Sequence, residues 1–185
     1  MASFILLYLI RHGRASAGFA EAHDPALDEV GRAQAEAVAQ ELAPLGPLPL
    51  ITSPLRRARE TAAPLEVLWR RKARIEPAMA EIPTPTADLQ ARMTWLHQAL
   101  RGRWSDLPTA YQDWRERVAA ALIALETPTV VTTHFVAINA AVSAATGDNR
   151  MVCFEPDHCS CTVLEVADRT LRVVTLGRQR ATQIR

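Results

Sequence analysis

An apolar run, Phe4-Ile5-Leu6-Leu7-Tyr8-Leu9-Ile10, ends directly in Arg11-His12-Gly13. A run this continuous and β-rich, and too short to cross a bilayer, predicts a strand buried on both faces, the environment of a parallel sheet covered by helices. The tripeptide then falls at the carboxyl edge of that sheet, where open α/β folds bind their ligands. Each residue type suits an anion. Arginine brings a permanent, forked charge, histidine a nucleophile or base, and glycine lets the backbone approach closely.

The rest of the chain repeats the alternation of strand and helix. Asp28 is placed to cap a helix reaching about Ala43, with Val30, Ala33, Ala37, Val38 and Leu42 as its apolar stripe. Pro44, Gly46, Pro47 and Pro49 break the chain before a short strand, Leu50-Ile51-Thr52. Ser53-Pro54 then reads as a serine cap with proline at the first helical position, and Pro64 as a bend in that helix. A short strand near Ala73–Glu76, a helix over Leu89–Leu100 and a helix carrying Tyr111, Trp114, Val118, Leu122 and Leu125 follow. Thr129–Thr133 is a second central strand running into His134, and its helix stops near Gly147. Cys159–Val166 and Leu171–Leu176 flank Asp168-Arg169-Thr170 as an antiparallel hairpin. The expected fold is α/β: a three-layer sandwich, its mostly parallel central sheet covered by helices on both faces, with an antiparallel edge hairpin near the C-terminus. Residues 1–185 make one domain, and the irregular segment 83–108 is a candidate lid or cap.

Charge and thiols narrow the function. With 21 basic and 20 acidic residues the net charge is +1, which gives no basic stripe for nucleic acid. Lys72 is the only lysine, so the remaining basic residues are all arginines, a bias that suits either a GC-rich genome or anion binding. Cys153, Cys159 and Cys161 with His158 invite a zinc reading, but no CxxC pair is present. With Cys159 and Cys161 on one side of a strand, buried reduced thiols are the expectation. The start of the chain lacks the basic opening and cleavage site of a signal peptide, and no stretch is long and apolar enough for a membrane span. A cytoplasmic protein with no membrane or nucleic-acid partner is expected, and its oligomeric state is left open.

Three strand ends carry chemistry: Arg11-His12-Gly13, Ser53-Pro54 with Arg57 in the following turn, and His134. If the three strands are parallel and central, these groups surround one crevice. Two arginines, two histidines and a helix N-terminus make that crevice a receptor for a phosphate dianion. Arg56 and Arg59 compete with Arg57 for the same role. Glu81, Glu76 and Asp88 are the carboxylates close in sequence that could serve as an acid.

These segments resemble, in order, those of the histidine phosphatase superfamily, also called phosphoglycerate-mutase-like. Arg11-His12-Gly13 is similar to its signature, and Leu27–Ala35 to the helix start that follows. Ser53–Ala62 resembles its second arginine motif, with Arg57 at the phosphate position. Met79-Ala80-Glu81 resembles the acidic segment, and Val130–His134 the strand leading to the second histidine. The resemblance implies a metal- and cofactor-independent phosphatase acting on a small phosphorylated substrate. His12 would be the nucleophile that forms a phosphohistidine, Arg11, Arg57 and His134 the phosphate ligands, and Glu81 the proton donor. The alternatives are a phosphoglycerate-type mutase and a non-catalytic module that binds phosphorylated ligands. The chain departs from the family pattern at Arg14, where an acidic or small residue is usual, and at Phe135, where glycine is common. Both are possible substrate contacts. The Gly-and-Trp pattern that mutases carry after the acidic residue is missing, so substrate specificity does not transfer.

Overall fold

Alternate residues of the first strand enter two different cores, which is what makes this a three-layer protein. The computed structural model describes residues 4–18 and 21–180. In β1 (Phe4–Arg11), Leu7 and Leu9 pack into one apolar cluster while Tyr8 and Ile10 face the other. The same alternation separates Leu50 from Ile51 in β2 (Leu50–Thr52), and Val130 from Val131 in β4 (Thr129–Thr133). On one face lie α1 (Glu29–Leu42) and α2 (Arg56–Trp69). On the other lie α3 (Leu89–Leu100), α4 (Thr109–Ile123) and α5 (Phe135–Thr146). Burying Leu7 or Leu9 contributes about 2 kcal/mol each. Only the start of β1 departs from two-sided burial: Phe4 is 58% exposed.

The sheet runs β3-β2-β4-β1-β5-β6, with β3 at Arg74–Ile75, β5 at Cys161–Ala167 and β6 at Thr170–Thr175. β3, β2, β4 and β1 are mutually parallel; β5 runs antiparallel to β1, and β6 to β5. The hairpin therefore forms the edge that its composition predicts. Its turn places Asp168 and Arg169 at φ 51° and 60°, as a tight two-residue connection requires.

Several local readings need correction. Ser53-Pro54 precede the helix instead of opening it: α2 starts at Arg56, Leu55 is its cap, and Ser53 Oγ accepts the Leu55 N–H at 3.1 Å. The helix continues through Pro64 to Trp69. The apolar stripe of α1 is Ala35, Val38, Ala39 and Leu42, whereas Val30, Ala33 and Ala37 are exposed. Cys159 is not in the strand but at a corner before it, with φ 54°. Trp95, Trp104, Tyr111 and Trp114 join the core beneath α3 and α4. Among the described residues no helix is long and apolar enough to cross a membrane.

Two glycines let the first helix meet the loop after β1. A Cβ on Gly13 would stand 2.5 Å from the Gly31 carbonyl oxygen, and one on Gly31 would stand 2.1 Å from that of Arg14. Gly31→Ala should gain up to about 1 kcal/mol of helix propensity. The backbone clash outweighs that gain, so a net loss of about 2 kcal/mol and a Tm lowered by roughly 4–8 °C are expected in thermal denaturation. An unchanged or raised Tm would remove this account of the contact.

Candidate active site

Registration explains why residues far apart in sequence meet. Ile10, Thr132 and Thr52 lie in one row across β1, β4 and β2, so the residues after them emerge together at the carboxyl edge. Backbone bonds extend the ladder past the strands, from His12 N to Thr133 O at 2.9 Å and from Ser53 N to Thr132 O at 3.0 Å. Neighbouring strands are about 4.8 Å apart, and the His12 and His134 rings stand 5.2 Å apart. Arg57 enters from the first turn of α2, its Nε donating to His12 Nε2 at 3.2 Å. Thr61, one turn on, accepts the Gly13 N–H at 3.0 Å and donates to Arg57 O at 2.7 Å, tying α2 to the loop after β1.

The hydrogen bonds fix opposite tautomers on the two imidazoles. The Gly13 carbonyl can only accept, so His12 Nδ1 carries the proton of their 2.7 Å bond. Nε2 is left with its lone pair, facing the Arg57 N–H. Around His134 the logic inverts. Ser53 Oγ already accepts from Leu55 N, and its O–H has no other acceptor among the described residues, so it donates to His134 Nε2 at 2.7 Å. Nδ1 of His134 then bears a proton, and it is buried with no partner among the described residues. Burial first, then the charges of Arg57 and Arg11, holds the His12 pKa well below the ordinary histidine value. Burial, His12 and the same arginines do this to His134. Both rings are therefore neutral at neutral pH.

Arg11 and Arg57 are both buried, at 8% and 6% exposure. Arg11 Nη1 donates to Pro156 O at 2.9 Å, and its guanidinium lies 5.3 Å from the centre of the Phe135 ring. The competing arginines turn elsewhere: Arg56 is exposed and paired with Glu60, and Arg59 is exposed. The carboxylates sort in the same way. Glu76 pairs with Arg74 and Asp88 caps α3, while Glu81 borders the same cavity as Arg11, His12 and Arg57. Thr133 Oγ1 bonds Met79 O at 2.7 Å and so anchors the turn that delivers Glu81. Glu81 accepts N–H bonds from Ile82 at 3.0 Å and from Val136, in the first turn of α5, at 3.2 Å. Burial nevertheless raises its pKa, outweighing those bonds and both arginines.

These groups line a cavity of about 640 Å³, walled by Met93, Leu96 and Leu100 of α3 and by Phe135. His134 is fully buried beside His12. Arg14 lies at the rim, half exposed, with Nε on Asp28, the cap of α1. A larger concavity of about 810 Å³ lies between α1 and α2, among Ala33, Ala37, Pro64 and Val67, and contains none of this chemistry.

Sequence reasoning missed Ser53 as the partner of His134, Thr61, and the pair His23–Arg92, whose side chains meet at 2.8 Å across the loop after β1 and α3. It also missed Asp24, 3.9 Å from Arg57. His158, weighed only as a zinc ligand, borders the cavity with its ring 5.9 Å from that of His12, and Arg180 joins it there. A strand antiparallel to β1 must begin where β1 ends, so the residues before β5 belong to the site. The three cysteines are unpaired, and burial pushes the Cys159 and Cys161 thiols up to about 12. Among the described residues no group of three or more His, Cys, Asp or Glu side chains could hold a metal ion.

The fold recurs in solved structures. A mycobacterial glucosyl-3-phosphoglycerate phosphatase is 21% identical, with a TM-score of 0.70 over 96% of this chain and 100% of that one. Its complex with inorganic phosphate is 22% identical, with a TM-score of 0.69 over 95% and 98%. A protein of Thermus thermophilus is 23% identical, with a TM-score of 0.61 over 95% and 100%. No curated protein matches the sequence. The family model of the histidine phosphatase superfamily (branch 1) matches residues 7–179, nearly the whole chain, and the protein belongs to that superfamily.

Proposed function

We propose that the protein is a phosphatase that hydrolyses a small phosphomonoester or phosphoramidate through a phosphohistidine on His12. The observation that carries this reading is the hydrogen bonding of the two imidazoles. His12 offers a neutral Nε2 lone pair, held in direction by the Gly13 carbonyl, beside buried guanidinium groups. Nε2 attacks phosphorus in line as Arg57 transfers its N–H from the ring to a phosphoryl oxygen. Arg11, Arg57 and the unpartnered Nδ1–H of His134 hold the equatorial oxygens, so fixed cations and dipoles supply the stabilisation that many phosphotransferases obtain from metal. Glu81, whose burial favours the protonated carboxyl, gives its proton to the leaving oxygen. As carboxylate it then takes a proton from the water that cleaves the N–P bond. Arg14 and Phe135 border the leaving group, and the segment 83–108 is the cap, with α3 as its working wall. The unpaired thiols suit a reducing compartment such as the cytoplasm.

The experiment is trapping. Brief incubation with a small labelled phosphate ester should yield an acid-labile, alkali-stable phosphoenzyme. Tight binding of the ester without label would favour the non-catalytic module. The phosphoryl grip also predicts a thermal effect. Phosphate or vanadate at about 100 times Kd should stabilise the fold by about 2.7 kcal/mol, raising Tm by roughly 5–10 °C. Arg57→Ala should abolish most of that rise; a full rise in the variant would show that the anion binds elsewhere. The mycobacterial relative solved with inorganic phosphate supports the choice of probe.

A further inference from the structure

The arginines around the cavity are not equivalent. Arg14 is neutralised by Asp28, and Arg11 and Arg57 form the phosphoryl grip. Arg180 makes no ion pair among the described residues, yet it borders the cavity. After burial, it is the charge that most lowers the Arg11 pKa, which falls to about 10. A phosphate dianion engaged by Arg11 and Arg57 leaves this guanidinium without a counter-ion.

The backbone of Arg180 is held in place, and its side chain is exposed. Its N–H donates to Glu155 O at 3.0 Å, Gln179 bridges to Pro156, and Pro156 O accepts from Arg11. The same loop carries His158 to the cavity through the left-handed corner at Cys159, a conformation that non-glycine residues seldom adopt. Burial, Arg11 and Arg180 keep His158 neutral, with its pKa lowered to about 4, so its ring can donate one N–H and can gain a proton as an anion arrives. The 5.9 Å between the His12 and His158 rings is within the reach of a short carbon linker.

We propose that Arg180 and His158 form a second anion subsite next to the phosphoryl position, so that the preferred substrate is a phosphomonoester bearing a further carboxylate or phosphate a few bonds away. The proposal rests on the phosphatase reading for its substrate, and the test separates the two. Three esters of one linker length are compared on the full chain: propyl phosphate, 3-phosphonooxypropanoate and propane-1,3-diyl bisphosphate. The wild type should favour one or both doubly anionic esters by about tenfold in kcat/KM, chiefly through KM, the worth of one charge-assisted contact. The ester that holds the advantage identifies the second group. Arg180→Gln and His158→Gln should each shrink the advantage to within about threefold, one such contact being removed. No preference in the wild type, or variants that lose all three esters in equal proportion, would overturn the subsite. If none of the esters is hydrolysed, the phosphatase reading falls and calorimetric binding decides. Tighter binding of a doubly anionic ester, lost in Arg180→Gln, sustains the subsite; equal binding of all three ends it.

Discussion

His12→Asn should abolish the phosphoenzyme and lower kcat/KM by about ten-thousandfold or more, the scale of losing a nucleophile. Asparagine keeps a polar group near Arg57 but offers no lone pair on nitrogen for phosphorus. Binding should survive, because Arg11, Arg57 and His134 are untouched, and calorimetry with inorganic phosphate is the control. A label retained in this variant would move the nucleophile elsewhere, with His134 the nearest alternative. The pH dependence has a definite sign. Burial and two arginines depress the His12 pKa, so the attacking form persists to lower pH than an ordinary histidine allows. Arg57→Gln removes one of those cations and should shift the acidic limb of kcat/KM upward in pH, besides weakening the phosphoryl grip.

Glu81→Gln carries the second large effect and depends on the leaving group. An alkoxide is a poor leaving group and needs the proton, so on an alkyl phosphate kcat/KM should fall by about a hundred- to ten-thousandfold. On 4-nitrophenyl phosphate, whose leaving group needs little help, phosphoenzyme formation should be nearly intact. Its breakdown should slow, because glutamine cannot take a proton from water. Label should therefore accumulate. The Glu81 pKa is raised, so the donating form is lost as pH climbs through that raised value, and the alkyl-phosphate profile should have an alkaline limb that the variant lacks. Equal losses on both esters would show that Glu81 acts only through its bonds to Ile82 and Val136.

What could be read before folding follows from how local each signal is. The bounds of β4 and α3 were legible because a β-branched Thr and Val run and a helical pattern are determined within a few residues. The carboxyl-edge placement of Arg11, His12, Arg57 and His134 followed from strand direction alone. The stripe of α1 was misread because alanines satisfy the helical period on either side, and only the neighbouring helix decides which side is covered. Ser53 looked like a cap because a serine before a proline is a helix-start pattern, and its side chain does bind a backbone N–H, in a turn that begins three residues before the helix. Its second bond, to His134, is a tertiary one for which no local pattern exists. His158 and Arg180 depend on β5 returning against β1, a pairing that becomes visible only once the sheet order is known.

The sheet also separates what must stay constant from what can drift. The phosphoryl grip hangs from three adjacent parallel strands whose row-by-row pairing tolerates no slip, since one residue of shift would turn every side chain to the opposite face. The part of the cavity wall contributed by α3 sits outside that ladder and can lengthen, shorten or be recast without disturbing it, whereas the turn between α5 and β5 is tied to Arg11 through Pro156 O. Descendants of such a scaffold can exchange one metabolite for another while the bond-breaking apparatus stays as it was.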